Sequence, residues 1–447
     1  MKITKNLLKV FNISTLPFFL VLLLGLYLRI NTYTEYPPRG SSSDEYTYTF
    51  MGMSLLKTGV PTTWSNFPAY EKYAKLTPIK IDGIYFPLVT PYFDHPPLNG
   101  ILVGAWTLFR GEDTFQEVTT GTIRQVPIFL SIFTMTLLYL IGLKLYDKKS
   151  ALWGLLIYAV APSIVMQTKF VFAENLLTPL FLGALLIFLH IKNKVNVSSA
   201  IILGIISGLS FWTKELGIVV FISLVALFLY YKTKLKPVII LTVVSLFICS
   251  LYLLYGYYYN WELFKAIVFA QGNREVGPNT LNMLLLNPVI VNKQYFDGWY
   301  LLGFVSFFAS FFDLKKHAYL LIPSFTYFFL MLFSLTSHGE MGWYMIVMFP
   351  FMALLTGNLL VESIKYKGGY IITATIFIGL FIARYYYQAK FGLPNPIFRL
   401  LLIGMFGPVI LSYILDKKKL FQLISNAWFY ILILGSIYIT YYYIHPM

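Results

Sequence analysis

Long apolar runs separated by short Lys-rich connectors constrain this chain more than any other feature. Runs such as 14–31, 122–143, 216–231 and 237–259 are almost purely apolar. Each is long enough to cross about 30 Å of hydrocarbon as a helix, which satisfies every backbone polar group internally. Only 12% of the 447 residues are charged, against 58% hydrophobic and 19% aromatic; a soluble domain usually carries about 25% charged residues. The chain therefore reads as an all-α polytopic membrane protein. Hydropathy and charge place about thirteen spans, at 14–31, 122–143, 150–168, 175–191, 199–213, 216–231, 237–259, 299–312, 317–336, 343–361, 369–388, 397–415 and 421–444.

A net charge of +15 raises the question of a polyanionic partner, and its distribution answers it. Connectors after alternate spans put on one side Lys2, Lys5, Lys9, Lys144, Lys148, Lys149, Lys192, Lys194, Lys232, Lys234, Lys236, Lys315, Lys316, Lys365, Lys367, Lys417, Lys418 and Lys419. With Asp147, Asp313, Glu362 and Asp416 that side sums to +14, and the remaining 16 basic and 15 acidic residues leave +1 for the other. Basic short loops on one face are the positive-inside signature, so the N-terminus is expected in the cytosol and no nucleic-acid partner is expected. Anionic membrane lipids are what such a face attracts. The single Cys249 lies in an apolar span, which excludes an internal disulfide framework and a thiolate metal site. Lys2, Lys5 and Lys9 ahead of an apolar run look like a signal sequence, but no small-x-small cleavage site follows. An uncleaved first helix is expected.

One hydrophilic interruption stands out: residues 31–121, directly after the first span. A second outer loop covers 260–298, and no repeat or appended domain is evident, so 1–447 reads as one integral-membrane domain. Within the first loop, 97–110 is apolar and Pro97 suits a first helical turn. At ~1.5 Å per residue it reaches about 21 Å, too short to span comfortably. Counting it as a span would also turn every later Lys cluster outward. It reads as an interfacial helix on the outer face, with 44–57 as a second, carrying Tyr48, Met51 and Leu55 on one side.

Acids and cations gather at this outer face. Asp44-Glu45 follows Ser42, so Ser42-x-x-Glu45 fits a capping box; an adjacent acidic pair at the tip of the first span also fits chemistry, with Asp44 free if Glu45 caps. Asp94-His95-Pro96-Pro97 reads as a turn into a helix, or as an acid and a cation held by two prolines. Glu174 sits where the third span meets the outside, an expensive place for an acid and hence a candidate site. Lys169, Lys214 and Arg274 are outer-face cations able to hold a phosphate, although Lys214 next to Glu215 also fits an ion pair in a tight turn. His338-Gly339-Glu340 is a weak metal signal, and Asp94 is a further candidate ligand. A divalent ion is a possible cofactor on these residues; a solvated turn is the plainer reading. No Gly-rich phosphate loop or Ser-His-Asp order is present.

Taken in order, these residues resemble the GT-C superfamily of polyprenyl-phosphate-sugar glycosyltransferases, and within it the family 39 protein O-mannosyltransferases and aminoarabinose (lipid A) transferases. The resemblance is carried by Asp44-Glu45-x-x-Tyr48 with Leu56-Lys57-x-Gly59, and by Tyr92-Phe93-Asp94-His95-Pro96-Pro97-Leu98. Arg124-x-x-Pro127, Glu174-Asn175-Leu176-Leu177, Thr213-Lys214-Glu215 and Trp343-Tyr344 with Phe349-Pro350 continue it over most of 15–360. It implies a GT-C fold of about 13 transmembrane helices with two juxtamembrane helices in the first extracytoplasmic loop. It implies Asp44 as catalytic base, with Glu45 and Glu174 as further catalytic acids and His95, Lys169, Lys214 and Arg274 at the donor phosphate. The implied partners are a polyprenyl-phosphate-linked sugar, an acceptor protein, glycan or lipid, and the membrane itself, with the plasma membrane of a prokaryote as location. The aminoarabinose group has a basic residue three after its first-loop Asp, where this chain has Thr47. The mannosyltransferase lysine beyond Pro97-Leu98-Asn99-Gly100 and the oligosaccharyltransferase WWDYG signature are absent too. Sugar and acceptor stay open.

The implied reaction suits the residues. A sugar on polyprenyl phosphate has a good leaving group, so one carboxylate can take the acceptor proton while the hydroxyl attacks from the opposite face. The rival class is a transporter or lipid-linked-sugar flippase, marked by ionisable residues deep in spans or by broken helices in a repeat.

Overall fold

The computed structural model describes residues 15–81, 84–192, 195–273, 289–290, 293–294, 298–334, 342–366, 370–383, 392–415 and 419–442. Every expected span coincides with a helix. Leu16–Ile30, Gln125–Leu145, Glu174–Ile191, Val197–Thr213 and Ile218–Tyr230 match their apolar runs closely. So do Leu314–Ser334, Tyr370–Ala383, Asn395–Ile414 and Lys419–Tyr442, whereas the 343–361 run opens as a 3-10 helix, Gly342–Val347, before the α-helix Phe349–Tyr366. Among the described residues four helical runs are long and apolar enough to cross a membrane: Thr120–Leu145, Glu174–Ile191, Leu235–Gly272 and Gly298–Ser334. The last of these folds back on itself at Ser310–Asp313, because Phe304 and Phe311 meet Phe328 and Phe325 across an antiparallel hairpin.

Two expected spans are broken. The 150–168 run divides into Lys148–Val160 and Pro162–Gln167, since Pro162 has no N–H to continue the ladder and leaves Ala161 extended. The carbonyls of Tyr158 (3.0 Å) and Ala159 (3.1 Å), freed there, accept from the guanidinium of the fully buried Arg29, which also donates to Gly25 of its own helix (2.9 Å). The 237–259 run lengthens into Leu235–Gly272 with a break at Asn260, whose side-chain oxygen caps the amide of Leu263. The part of that helix beyond Asn260 thus occupies the start of the expected second loop.

The first loop folds as a unit with its own core. Both expected helices form, as Asp44–Thr58 and Leu98–Phe109, and they cross in backbone contact. A Cβ on Gly52 would fall 1.8 Å from the Gly100 carbonyl oxygen, and one on Gly104 would fall 2.4 Å from the Met53 nitrogen. Gly59, at φ +73, ends the first helix in the left-handed conformation that glycine tolerates. Between the helices lies an unanticipated antiparallel sheet, ordered β1 (Thr63–Trp64), β3 (Ile84–Thr90), β2 (Lys75–Ile81). Tyr48, Met51, Tyr70, Tyr92, Phe93 and Val103 fill the core beneath it, joined by Leu263, Phe264 and Ile267 of the broken helix. Three bonds tie that helix to loop main chain: Tyr259 to the Gly59 carbonyl (2.5 Å), Asn260 to that of Tyr73 (2.9 Å) and Gln271 to that of Asp94 (2.6 Å).

Candidate active site

Asp44 and Glu45 open the first loop helix, and the helical turn sends their side chains in different directions. The expected capping box does not form: the residue ahead of the helix is Ser43, with no side-chain cap. Glu45 instead faces the bundle, fully buried, and binds Arg124 through both oxygens at 2.9 and 2.8 Å. Arg124 completes its donors on the carbonyls of Tyr33 (3.1 Å) and Pro37 (2.5 Å) and lies 5.1 Å from the Phe170 ring centroid. The amide of Val171 also donates to Glu45, at 3.3 Å. A carboxylate so engaged ties the loop to the bundle. Asp44 is half-buried on the other side, where its charge reaches Tyr48, Tyr92 and Lys214.

His95 stacks on Tyr48 one helical turn beyond Asp44, with ring centroids 5.0 Å apart and planes inclined at 23°. The Asp94-His95 turn is set by its acid: Asp94 accepts from Ser65 (2.6 Å) and Tyr70 (2.7 Å), while the Tyr70 oxygen accepts from the Phe93 amide (2.7 Å). Burial, with the Asp94 charge, holds the Tyr70 phenol far above its ordinary pKa and therefore protonated as a donor. Asp94 is thus engaged in fixing the turn. Burial, then Asp44, Glu174, Glu215 and Tyr344, raises the Tyr48 phenol in the same way.

Glu174 and Lys214 meet as a buried ion pair. Glu174 is the first residue of its helix and Lys214 follows the last residue of Val197–Thr213, so each charge lies at the helix end whose dipole favours it. The Lys214 ammonium is 3.8 Å from the Tyr344 ring centroid. Burial disfavours the cation, but Glu174, Tyr344 and Asp44 outweigh it and keep the amine above its usual range. Lys214 and Tyr344 form one wall of a cavity of about 390 Å³. Glu215, Gln271, Ile218, Ile267, Val268, Leu330 and Phe333 also line it.

Lys169 lies apart from this group. Its amine donates to the Asn31 carbonyl at 2.6 Å, and burial, then Arg124 and Arg29, pulls its pKa down to about 7. The Lys169 amine is thus engaged by main chain. Arg274, His338 and Glu340 lie outside the described residues. Among the described residues no three His, Cys, Asp or Glu side chains are grouped to hold a metal ion. Two site features escaped the sequence reading. Gln271 looked like any loop amide, whereas the crossing of the loop helices was visible as Gly100-x-x-x-Gly104, the small-xxx-small spacing that lets helices touch.

Residues 94–255, beginning at the Asp94-His95 turn, match the family described as dolichyl-phosphate-mannose-protein mannosyltransferase. No curated protein matches the sequence. Among solved structures, the oligosaccharyltransferase of Archaeoglobus fulgidus in its apo form is similar with a TM-score of 0.56 at 12% identity, over 97% of this chain and 57% of its own. ArnT from Cupriavidus metallidurans, bound to undecaprenyl phosphate, gives 0.57 at 15% identity, over 95% of this chain and 76% of its own. The fold is GT-C. The chain spans little more than half the length of the archaeal enzyme, and 56% of the same organism's AglB solved with an inhibitory peptide and a dolichol-phosphate (TM-score 0.54, 12% identity, 97% of this chain). Within this fold Lys214 lines the cavity and pairs with Glu174, the charge of Asp44 reaches Lys214, and His95 stacks on Tyr48 of the first loop helix.

Proposed function

We propose that this GT-C protein is an inverting glycosyltransferase that moves a monosaccharide from a polyprenyl phosphate to an acceptor hydroxyl at the extracytoplasmic face. The orientation is the positive-inside one, with about thirteen crossings. The cavity carries the reading: a lining that combines the Lys214 ammonium with apolar Ile267, Val268, Leu330 and Phe333 suits a phosphate on a prenyl chain. The undecaprenyl phosphate in ArnT and the dolichol-phosphate in AglB support it from the same fold.

The chemistry balances on this chain's own residues. The acceptor oxygen attacks the anomeric carbon as the bond to phosphate breaks, the electron pair leaves with the polyprenyl phosphate, and Asp44 takes the acceptor proton. Lys214 and His95 hold the departing phosphate, with charge-assisted bonds worth ~1.5–3 kcal/mol each. Arg274 is proposed as a further phosphate cation from the second loop.

The rival reading as a transporter or flippase gains a broken helix at Pro162 and a buried charge at Arg29. Arg29, however, lies in the last turn of its helix and ties off the carbonyls left open by that break. Its part is structural, so the enzyme reading stands first.

The test is turnover of a panel of polyprenyl-phosphate sugars in liposomes, comparing wild type with Asp44→Asn. Release of polyprenyl phosphate by wild type, reduced by about 10²–10⁴ in Asp44→Asn with donor binding kept, is the expected result. Equal activity in both removes Asp44 as the base. Translocation of an intact lipid-linked sugar without release of polyprenyl phosphate sinks the transferase reading.

A further inference from the structure

Glu174 is a buried anion already seated on Lys214, the cavity-lining ammonium that faces a donor phosphate in the reading above. We infer that Glu174 is an internal competitor for that phosphate: it occupies Lys214 when the cavity is empty, yields it when polyprenyl phosphate binds, and retakes it to expel the product. The inference rests on the proposed donor and concerns how tightly that donor is held.

Three observations carry it. Glu174 and Lys214 are both buried and bonded directly to each other, and Lys214 also lines the cavity. A phosphate arriving on Lys214 with Glu174 still in place would put two anions side by side in a poorly solvated wall, where like charges strongly disfavour each other. Separation of the pair leaves neither charge without support. An ordinary buried ion pair opens only by leaving both charges stranded. Here the Glu174 carboxylate keeps the N-terminal end of its own helix, and the Lys214 ammonium keeps the Tyr344 ring and the C-terminal end of its helix. Each charge therefore retains a partner when the pair separates.

The role differs from that of a base or of a simple structural pair. A base would face the acceptor, whereas the Glu174 carboxylate is spent on the phosphate cation. A structural pair would leave phosphate affinity untouched. Glu174 makes it a positioning residue whose charge sets donor affinity against product release.

The experiment measures binding of undecaprenyl phosphate to the full chain in nanodiscs, together with steady-state turnover. Wild type is compared with Glu174→Gln, Glu174→Asp and Lys214→Met, with melting temperatures as a check on folding. Glu174→Gln is expected to bind the lipid phosphate about tenfold more tightly, the equivalent of ~1.4 kcal/mol, and to lower KM and kcat together as product release slows. Glu174→Asp, which keeps the charge but shortens its reach, is expected to fall between, and it carries the test if the glutamine variant does not fold. Lys214→Met is expected to lose binding. Unchanged or weaker binding in both Glu174 variants overturns the inference and leaves the donor reading intact. A kcat loss with unchanged phosphate affinity would instead make Glu174 a base. Absence of saturable binding to wild type overturns the donor reading and the inference with it.

Discussion

The Glu45–Arg124 pair holds loop to bundle with both side chains fully buried, so its loss acts on the fold. Glu45→Gln or Arg124→Met is expected to destabilise by ~3–5 kcal/mol, since removing one partner strands the other charge. The check is a fall in melting temperature accompanied by loss of folded protein, in contrast to Asp44→Asn, which is expected to melt near wild type. Lys169 gives a pH dependence of definite sign. Its pKa is about 7 when folded, against about 10.4 in an unfolded chain, so above neutrality the unfolded state binds more protons and stability rises with pH. Below that pKa both states are charged and the dependence vanishes. The melting temperature is expected to climb between about pH 7 and pH 9 in wild type, with a flatter profile in Lys169→Met. The sequence disclosed which residue types stand at this face, but not how they divide. Asp44 and Glu45 are adjacent, and only the position of Arg124 across the loop decides that one is a clamp. Lys169 and Lys214 looked alike; the first faces two arginines and the second a glutamate.

At the scale of elements, the crossing of the two loop helices is the least forgiving contact near the site. A methyl on Gly52 would meet the Gly100 carbonyl, which cannot move without displacing its helix. Gly52→Ala is expected to cost about 1–3 kcal/mol through forced backbone shifts and to depress turnover with it. Gly183→Ala is the control, because nothing lies within 4 Å of the added carbon. Both measurements are thermal melts paired with the transfer assay. The helices themselves were legible from their apolar faces and from Pro97. The sheet was hidden by prolines: β2 and β3 each carry one mid-strand, at Pro78 and Pro87, which normally argues against a strand. The structure sets those two residues opposite each other, at a pair where neither needs an N–H for the ladder. The break at Pro162 was concealed for the opposite reason, since hydropathy is blind to a missing amide inside an apolar run.

For the whole molecule, the charge asymmetry makes a topological prediction. In a Cys249→Ser background, Lys75→Cys on the exposed strand β2 is expected to react with a membrane-impermeant maleimide in intact cells. Lys149→Cys, at an exposed connector, is expected to react only after permeabilisation. The reverse pattern would place the cavity in the cytosol and remove the extracytoplasmic reaction. Thirteen apolar runs could be read straight from hydropathy because helices in lipid answer mainly to one variable. The cavity could not, because it depends on residues as distant as Phe93, Lys214, Gln271 and Phe333 meeting in space.

The broken helix grips the first loop through the carbonyls of Gly59, Tyr73 and Asp94, and a carbonyl is the same on every residue. The receiving side of this joint therefore records almost nothing of the loop's side chains. Mutations can accumulate across the loop surface without loosening it, while Tyr259, Asn260 and Gln271 remain intolerant. Such an attachment is well suited to diversification: relatives can change what the outer surface recognises and inherit the docking unaltered. A saturation scan would register this as a sharp contrast in mutational tolerance between the two sides of the same three bonds.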